Sequence, residues 1–356
     1  MRRLLVALTL LATACATRAP VIDPPAAVAP AAKPSSAGWL WLTAFQSGKL
    51  EAIDLGTESI VRTFAVDDGA GSTGFALTPD GATVYLADGA SPGRLRVFDV
   101  ASQTLVGEAS LKRRALLLGH APLFHLERDS LFVGTLDPLT AQAGTLSLGT
   151  KALTAQAPPS WPCASPMLAR GAATVALCAG SIHRLGGAST TTPIAALEDL
   201  AEALATPDRV VAIGRFRAKR WWLLDWRAGE PSPRALDLHA VDGVDDTSGR
   251  NGMASVDVSP DGKTLAVVHG KAAWFIDAES HAILRIVRFD RPVDHARFTL
   301  DGSALLTLES HVGDVPATET ALLRIDVTSG ALRRVLAGKV PQHGPTLLSV
   351  AKAATG

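Results

Sequence analysis

The sequence lacks an excess of charge of either sign. Lys+Arg and Asp+Glu number 34 each among 356 residues. A dedicated nucleic-acid binder needs a basic footprint, and none is present. A disordered polyanion is excluded as well, because 47% of the residues are hydrophobic and only 19% are charged. Cysteine is scarce, with three residues, and tyrosine occurs once. No Cys-x-x-Cys exists, so a cysteine metal site has no support and a c-type haem is ruled out. No Gly-x-Ser-x-Gly, Walker A, His-Glu-x-x-His or dinucleotide fingerprint occurs. No nucleophile–base pair is supported by spacing alone. What is left is a neutral chain long enough to bury roughly 75% of its unfolded surface.

Long hydrophobic runs are missing too; no segment reaches 18 consecutive apolar residues. The longest apolar stretch, 4–14, follows Arg2 and Arg3. It is too short to span a bilayer, which takes about 20 residues as a helix. Two cations, an apolar run and then small residues make a secretory signal. Leu11-Ala12-Thr13-Ala14-Cys15 resembles the bacterial lipoprotein box, although Ala12 departs from the usual Leu. That resemblance implies cleavage before Cys15 and lipidation, including palmitate, of its thiol. Ala16 follows rather than Asp, which in such lipoproteins points to the outer membrane of the bacterial envelope. Ordinary secretion, with Cys15 removed or left free, is the alternative. Residues 16–37 are rich in Ala and Pro, with Pro20, Pro24, Pro25, Pro30 and Pro34 blocking helix and central strand. They read as an extended spacer. The organisation expected is therefore signal 1–14, lipidated Cys and linker 15–37, and one folded region 38–356.

That folded region is repetitive. A short apolar alternation closed by Asp recurs at Asp54, Asp99, Asp225, Asp277 and Asp326, with Gly149 and Gly186 in place of Asp in two copies. The seven copies are spaced about 45 residues apart. Asp suits the start of a turn because its carboxylate accepts backbone N–H groups two residues on. Gly reaches the same turn through positive φ. A second marker leads each copy: Thr78-Pro79-Asp80-Gly81, Ser259-Pro260-Asp261-Gly262 and Leu300-Asp301-Gly302. Weaker forms are Arg128-Asp129-Ser130, Arg170-Gly171 and Thr206-Pro207-Asp208. These are tight-turn residues flanked by strand-like runs. Each unit reads as four short strands. The first unit lacks its leading strand, because the Pro-rich linker occupies that place. A spare strand at 345–350 is expected to complete it and close the ring, removing exposed edges.

The runs 77–111 (LTPDGATVYLADGASPGRLRVFDVASQTLVGEASL) and 258–287 (VSPDGKTLAVVHGKAAWFIDAESHAILRIV) resemble the YVTN-type β-propeller repeat, which is WD40-like. The Gly-His dipeptide of WD repeats is absent from its usual place. The resemblance extends over 38–356, strongest in units two, six and seven. It implies an all-β, seven-bladed β-propeller of four-stranded antiparallel blades, one monomeric ring. The group includes surface-layer repeats, propeller lactonases and heavy chains of quinoprotein amine dehydrogenases, so it implies no single activity.

Several residues are candidates for chemistry. Cys163 and Cys178 flank a midpoint between Arg170 and Gly171. A two-residue hairpin there sets them opposite each other, at disulfide reach in an oxidising compartment. Two buried reduced thiols are the alternative. In propellers, ligands meet loops at one end of the channel. In those loops His269, Asp294, His295, His311 and His343 form the candidate channel-mouth site. His and carboxylate together suit a divalent metal or acid–base work. Scattered polar residues, which loops normally carry, are the plainer reading of the same positions. The loop 239–253 does not follow the EF-hand pattern. Arg215, Arg217, Lys219 and Arg220 precede Trp221, Trp222 and Trp226; alternation puts Trp221 and Trp222 on opposite faces, one of them packed between blades. No catalytic motif and no cofactor are evident. The sequence reads as a membrane-anchored, non-catalytic scaffold that binds an envelope protein or small molecule and no nucleic acid. The alternative is a propeller hydrolase, lactonase-like or metal-dependent, using the His/Asp loops of the last units.

Overall fold

The computed structural model describes residues 38–44, 49–65, 72–78, 81–88, 94–110, 124–127, 130–135, 142–147, 152–154, 167–171, 175–178, 181–184, 191–193, 199–216, 220–230, 232–238, 254–309, 321–336 and 346–351. The chain divides into two compact units, Met1–Lys33 and Pro34–Gly356. All described residues belong to the second, and every element in them is a β-strand.

Sheet 1 begins with β1 (Trp39–Ala44), β2 (Lys49–Asp54) and β3 (Ser59–Ala65). Sheet 2 runs β4 (Ser72–Leu77), β5 (Thr83–Asp88), β6 (Arg94–Asp99) and β7 (Thr104–Ser110). Sheet 3 runs β8 (Phe124–Glu127), β9 (Ser130–Thr135), β10 (Gln142–Ser147) and β11 (Ala152–Thr154). Next come β12 (Met167–Leu168) and β13 (Arg170–Gly171), which go to different sheets. Strand β12 joins β14 (Val175–Cys178), β15 (Ser181–Arg184) and β16 (Thr191–Pro193) in sheet 4. Strand β13 joins β17 (Asp199–Ala205), β18 (Arg209–Phe216), β19 (Arg220–Arg227) and β20 (Arg234–Asp237) in sheet 5. Sheet 6 is β21 (Ser255–Val258), β22 (Thr264–His269), β23 (Ala272–Asp277) and β24 (Ile283–Arg288). Sheet 7 is β25 (Val293–Phe298), β26 (Ala304–Glu309), β27 (Leu322–Asp326) and β28 (Leu332–Val335). The last strand, β29 (Thr346–Ala351), returns to sheet 1. It pairs antiparallel with β1, setting Ala351 opposite Trp39 and Thr346 opposite Ala44.

Sheet 5 departs from the four-strand expectation. Arg170 and Gly171 do not form the two-residue turn of a hairpin; they pair in parallel with Leu204 and Ala205. The β12–β14 register sets Met167 opposite Leu177 and Leu168 opposite Ala176. It is offset by three positions from the one that faces Cys163 with Cys178. Backbone pairing of Ala169 N–H with Val175 O, at 2.8 Å, closes a longer turn and frees Arg170 and Gly171 for the neighbouring sheet. Cys178 itself pairs with Ser181 along β14, while Cys163 and Cys15 lie outside the described residues.

The core is a series of sheet-on-sheet contacts rather than one central cluster. Trp39, Trp41 and Phe64 of sheet 1 pack with Phe75, Leu86 and Phe98 of sheet 2. Leu40 and Leu42, on the opposite face of β1, pack with Leu306, Leu308 and Leu322 of sheet 7. The same alternation splits β22: Leu265 and Val267 face sheet 5, while Ala266 and Val268 face sheet 7. Sheets 4 and 5 meet through Val175, Leu177, Ala203 and Ala212. Both faces of these strands are covered, so they read as near-continuous apolar runs. Innermost strands also touch from sheet to sheet: β17 with β21, β21 with β25, and β25 with β29.

Candidate functional site

Each sheet has two ends. At one end lie the Asp copies of the repeat, which close the strand before the outermost one. Asp54 Oδ1 accepts the N–H groups of Gly56 and Thr57, both at 2.8 Å. Asp99 accepts from Ser102 N at 2.7 Å, Asp277 from Ser280 N at 2.7 Å, and Asp326 from Ser329 N at 2.6 Å. Ser102 holds the Asp99 carboxyl below its ordinary range, and Ser280 and Ser329 do the same for Asp277 and Asp326. The residue four places after each described Asp has positive φ: Glu58, Gln103, Gly229, His281 and Gly330. Here the turn requires the left-handed region, and only two of the five residues are the glycines that take it without strain.

Arginines tie this end from sheet to sheet. Arg227 donates to Ala278 O at 2.8 Å, Arg285 to Thr328 O at 2.6 Å, and Arg324 to Leu55 O at 3.0 Å. These contacts join sheet 5 to 6, 6 to 7, and 7 to 1. Asp225 breaks the pattern. It is fully buried and forms a two-point ion pair with Arg209, at 2.7 and 2.6 Å. The His281 ring lies 2.8 Å from Asp225 Oδ2. Burial pushes the Asp225 carboxyl up, but Arg209 and His281 more than offset it, and the net direction is down.

The opposite end, the loop end, carries the candidate residues. Between β22 and β23 the chain turns through Gly270 and Lys271, with His269 paired to Ala272. Gly270 O accepts Val293 N–H at 2.7 Å, so this turn is fastened to the start of β25. His269 is buried, its ring centroid 4.6 Å from that of Trp221. The Arg215 guanidinium lies 5.1 Å from the same Trp221 ring. Of the two tryptophans that alternation sets on opposite faces, Trp221 packs between sheets 5 and 6.

Asp294 and His295 sit in a β-bulge: the pairing of β25 with β26 shifts between Asp294 and Arg297. Bulges re-aim side chains and cluster beside functional sites. His295 is only 1% exposed, with φ of 65°. A buried, non-glycine residue in the left-handed region costs about 1–3 kcal/mol and persists only where its surroundings enforce it.

The enforcing groups come from three innermost strands. Glu202 of β17, Ser255 of β21 and Arg297 of β25 are all buried. Arg297 donates to Glu202 Oε1 at 2.8 Å, and the Ser255 hydroxyl donates to Glu202 Oε2. Ser255 Oγ in turn accepts the N–H of Ala296 at 2.8 Å, directly after His295. Thr307 Oγ1 donates to Asp294 O at 2.8 Å, directly before it. Asp257 accepts Phe298 N–H at 2.7 Å. The bulge is therefore held on both sides by buried polar partners. Each partner is satisfied, as burial demands.

Of the five channel-mouth candidates, the structure places His269, Asp294 and His295 at one end; His311 and His343 lie outside the described residues, as does loop 239–253. Among the described residues no group of three or more His, Cys, Asp or Glu has the arrangement to hold a metal ion. Glu202, Ser255 and Arg297 were not singled out from sequence. Their one signal is a charged residue inside an apolar strand, as in Leu200-Ala201-Glu202-Ala203-Leu204.

No protein-family model and no curated protein matches the chain. Solved structures do. The chain is similar to AztD from Citrobacter koseri, with 14% identity over 88% of this chain and 98% of that one, at a TM-score of 0.59. A protein of Bacteroides uniformis, provisionally assigned as a 6-phosphogluconolactonase, matches with 12% identity over 88% and 99% of the two chains, at 0.59. The Dos1 propeller matches with 12% identity over 86% and 78%, at 0.51. The fold shared with these proteins is the β-propeller. At such identities the likeness defines the fold and leaves activity open.

Proposed function

We propose that the chain is a lipid-anchored envelope protein. In this reading its sheets are the blades of a seven-bladed ring closed by β29 on β1. Its loop end is a binding face for an envelope protein or small ligand, and it carries out no catalysis. The observation that carries the binding face is the buried, strained His295, propped from both sides by partners on neighbouring strands. Strain held in this way marks a position whose geometry matters beyond folding. The β29–β1 pairing and the Arg324 bond from sheet 7 to Leu55 of sheet 1 support closure. Arg215, half-buried over the ring of the buried Trp221, sets a cation at the same end, and arginine is enriched at recognition surfaces.

The test uses a photo-crosslinking side chain placed in living cells at exposed Lys271 (loop end) or exposed Glu279 (Asp-turn end). One recurrent adduct at position 271, lost in His295→Ala and absent at position 279, is the expected result. Ester or lactone turnover that disappears in His295→Ala, with folding intact, would overturn the binding reading in favour of a propeller hydrolase.

A further inference from the structure

We infer that the outer rim of the Asp-turn end is a lipid-facing surface, holding the domain with that end toward the bilayer and the loop end away from it. The inference rests on the lipid-anchor reading. Among the described residues, the exposed large apolar side chains are Ile60, Leu105, Val106, Leu284 and Leu332, at 39–58% exposure. All five fall within the first three residues of an outermost strand: β3, β7, β24 or β28. Each therefore follows its Asp turn directly, at the same height on its sheet. The four sheets are neighbours in the order 6, 7, 1, 2, through the contacts already described. Singly scattered apolar residues need no explanation. At least one on each of four consecutive sheets, at one height, with two on sheet 2, is a pattern.

Two further observations select a lipid surface as the occupant. The first is where the chain enters the fold. Gly38 O accepts the N–H of Leu55, the residue after Asp54, at 3.1 Å. The described chain thus begins at the Asp-turn end, preceded by 37 residues that include Cys15. The second is charge. Strands β3, β24 and β28 carry Arg62, Arg285, Arg288, Arg333 and Arg334 and no acidic residue, whereas β7 carries Glu108 and no arginine. Arg333 and Arg334 are paired with Glu58 and Glu309, and Arg62, Arg285 and Arg288 supply the remaining cations. Arginines also protect sheet edges from pairing with other chains, but an edge so protected has no need of exposed leucines. Arginine beside exposed leucine is the composition of a membrane-interface surface: the apolar body enters the headgroup boundary and the cation meets anionic lipid.

The experiment uses the full lipidated chain in vesicles of phosphatidylethanolamine and phosphatidylglycerol. Benzoylphenylalanine is placed at position 105, 284 or 271, one per sample. Lipid adducts at 105 and 284, at least several-fold above 271, are expected. Adducts at 271 alone, equal adducts at all three, or adducts at 105 and 284 to a second copy or another protein would overturn the inference. The anchor itself is read separately, by membrane fractionation of Cys15→Ser. If that variant stays membrane-bound, the anchor reading fails whatever the adduct pattern. If it is released while the parent gives no rim adducts, the anchor stands and the lipid-facing rim fails. A Leu105→Ser, Leu284→Ser, Leu332→Ser triple variant, folded and still lipidated, is expected to lose the height difference in a fluorescence-quenching depth measurement; an unchanged depth counts against the rim.

Discussion

At the Asp-turn end, Asp99, Asp277 and Asp326 each accept N–H groups from their own turn and stay within reach of water. Toward the loop end, Glu202 and Arg297 are buried and draw their partners from different sheets. The first arrangement is local, and a short motif repeated along the chain specifies it. The second depends on where three distant segments meet, 53 and 42 residues apart along the chain for the Ser255 contacts. A repeat thus describes the scaffold it builds. The residues that make this propeller different from another sit where the repeat is silent.

Removing one member of the buried network should have the largest effect. Arg297→Ala leaves the Glu202 carboxylate buried without its cation, and such losses run about 3–5 kcal/mol. Urea unfolding should show that loss. Replacing Glu202 and Arg297 together by leucine should recover much of it, because two apolar groups leave no charge stranded. A loss under about 1 kcal/mol for Arg297→Ala would mean that the pair is solvated and the contrast between the ends is false.

Asp225 tests the contrast within one motif. It occupies the repeat position of Asp277, yet it is buried against Arg209 and His281. Asp225→Ala strands Arg209 and should cost about 3 kcal/mol, while Asp277→Ala should cost distinctly less, in the same unfolding assay. Equal losses would show that the motif position, not the partner set, determines the energy.

The fold was largely legible in the sequence, and for a physical reason. Period-two alternation, the turn chemistry of Pro260-Asp261-Gly262 and the recurring Asp are local signals, each read without knowing what packs where. The site was only partly legible. His269, Asp294 and His295 stood out as loop-end histidines and an acid. Their supports, Glu202, Ser255 and Arg297, look like ordinary strand residues until the sheets are assembled. Arg170-Gly171 misled for the same reason: it has the composition of a turn, and the neighbouring β17 overrides that composition.

Acid should separate the ends next. The folded-state pKa of Asp99, Asp261, Asp277 and Asp326 lies below the ordinary 3.8. Their contribution to stability is complete above 3.8 and is lost as pH falls through the lowered values. Glu51, buried in β2, has the opposite sign: burial raises its pKa above 4.5, and only Lys49 opposes the shift. It favours the folded state below 4.5, and that advantage is lost as pH rises through the raised value. Urea midpoints followed across pH should therefore fall on the acid side for the parent. Glu51→Gln should gain on the parent progressively as pH climbs above 4.5. A constant gap would mean that Glu51 titrates alike in both states.

The smallest effect bears on the turn itself. Gln103, with φ of 57°, occupies the left-handed position that Gly330 fills at 76° in the corresponding turn. For an L-residue that region costs about 1–2 kcal/mol. Glycine loses more backbone freedom on folding, about 0.5–1 kcal/mol, so Gln103→Gly should stabilise by no more than about 1 kcal/mol. Gly330→Ala should do the reverse and more. Its new Cβ would stand 2.8 Å from Arg285 Nη1 and 2.9 Å from its Cδ, so the arginine must shift. That arginine also reaches Thr328 O across to sheet 7, and the substitution loosens the bond between sheets along with the turn. Opposite signs for the two substitutions in thermal unfolding would confirm that one turn geometry is imposed on the five sheets where the turn is described, by packing where the residue resists it. A destabilised Gln103→Gly would show instead that the glutamine side chain itself braces its turn, and that the turns are not equivalent.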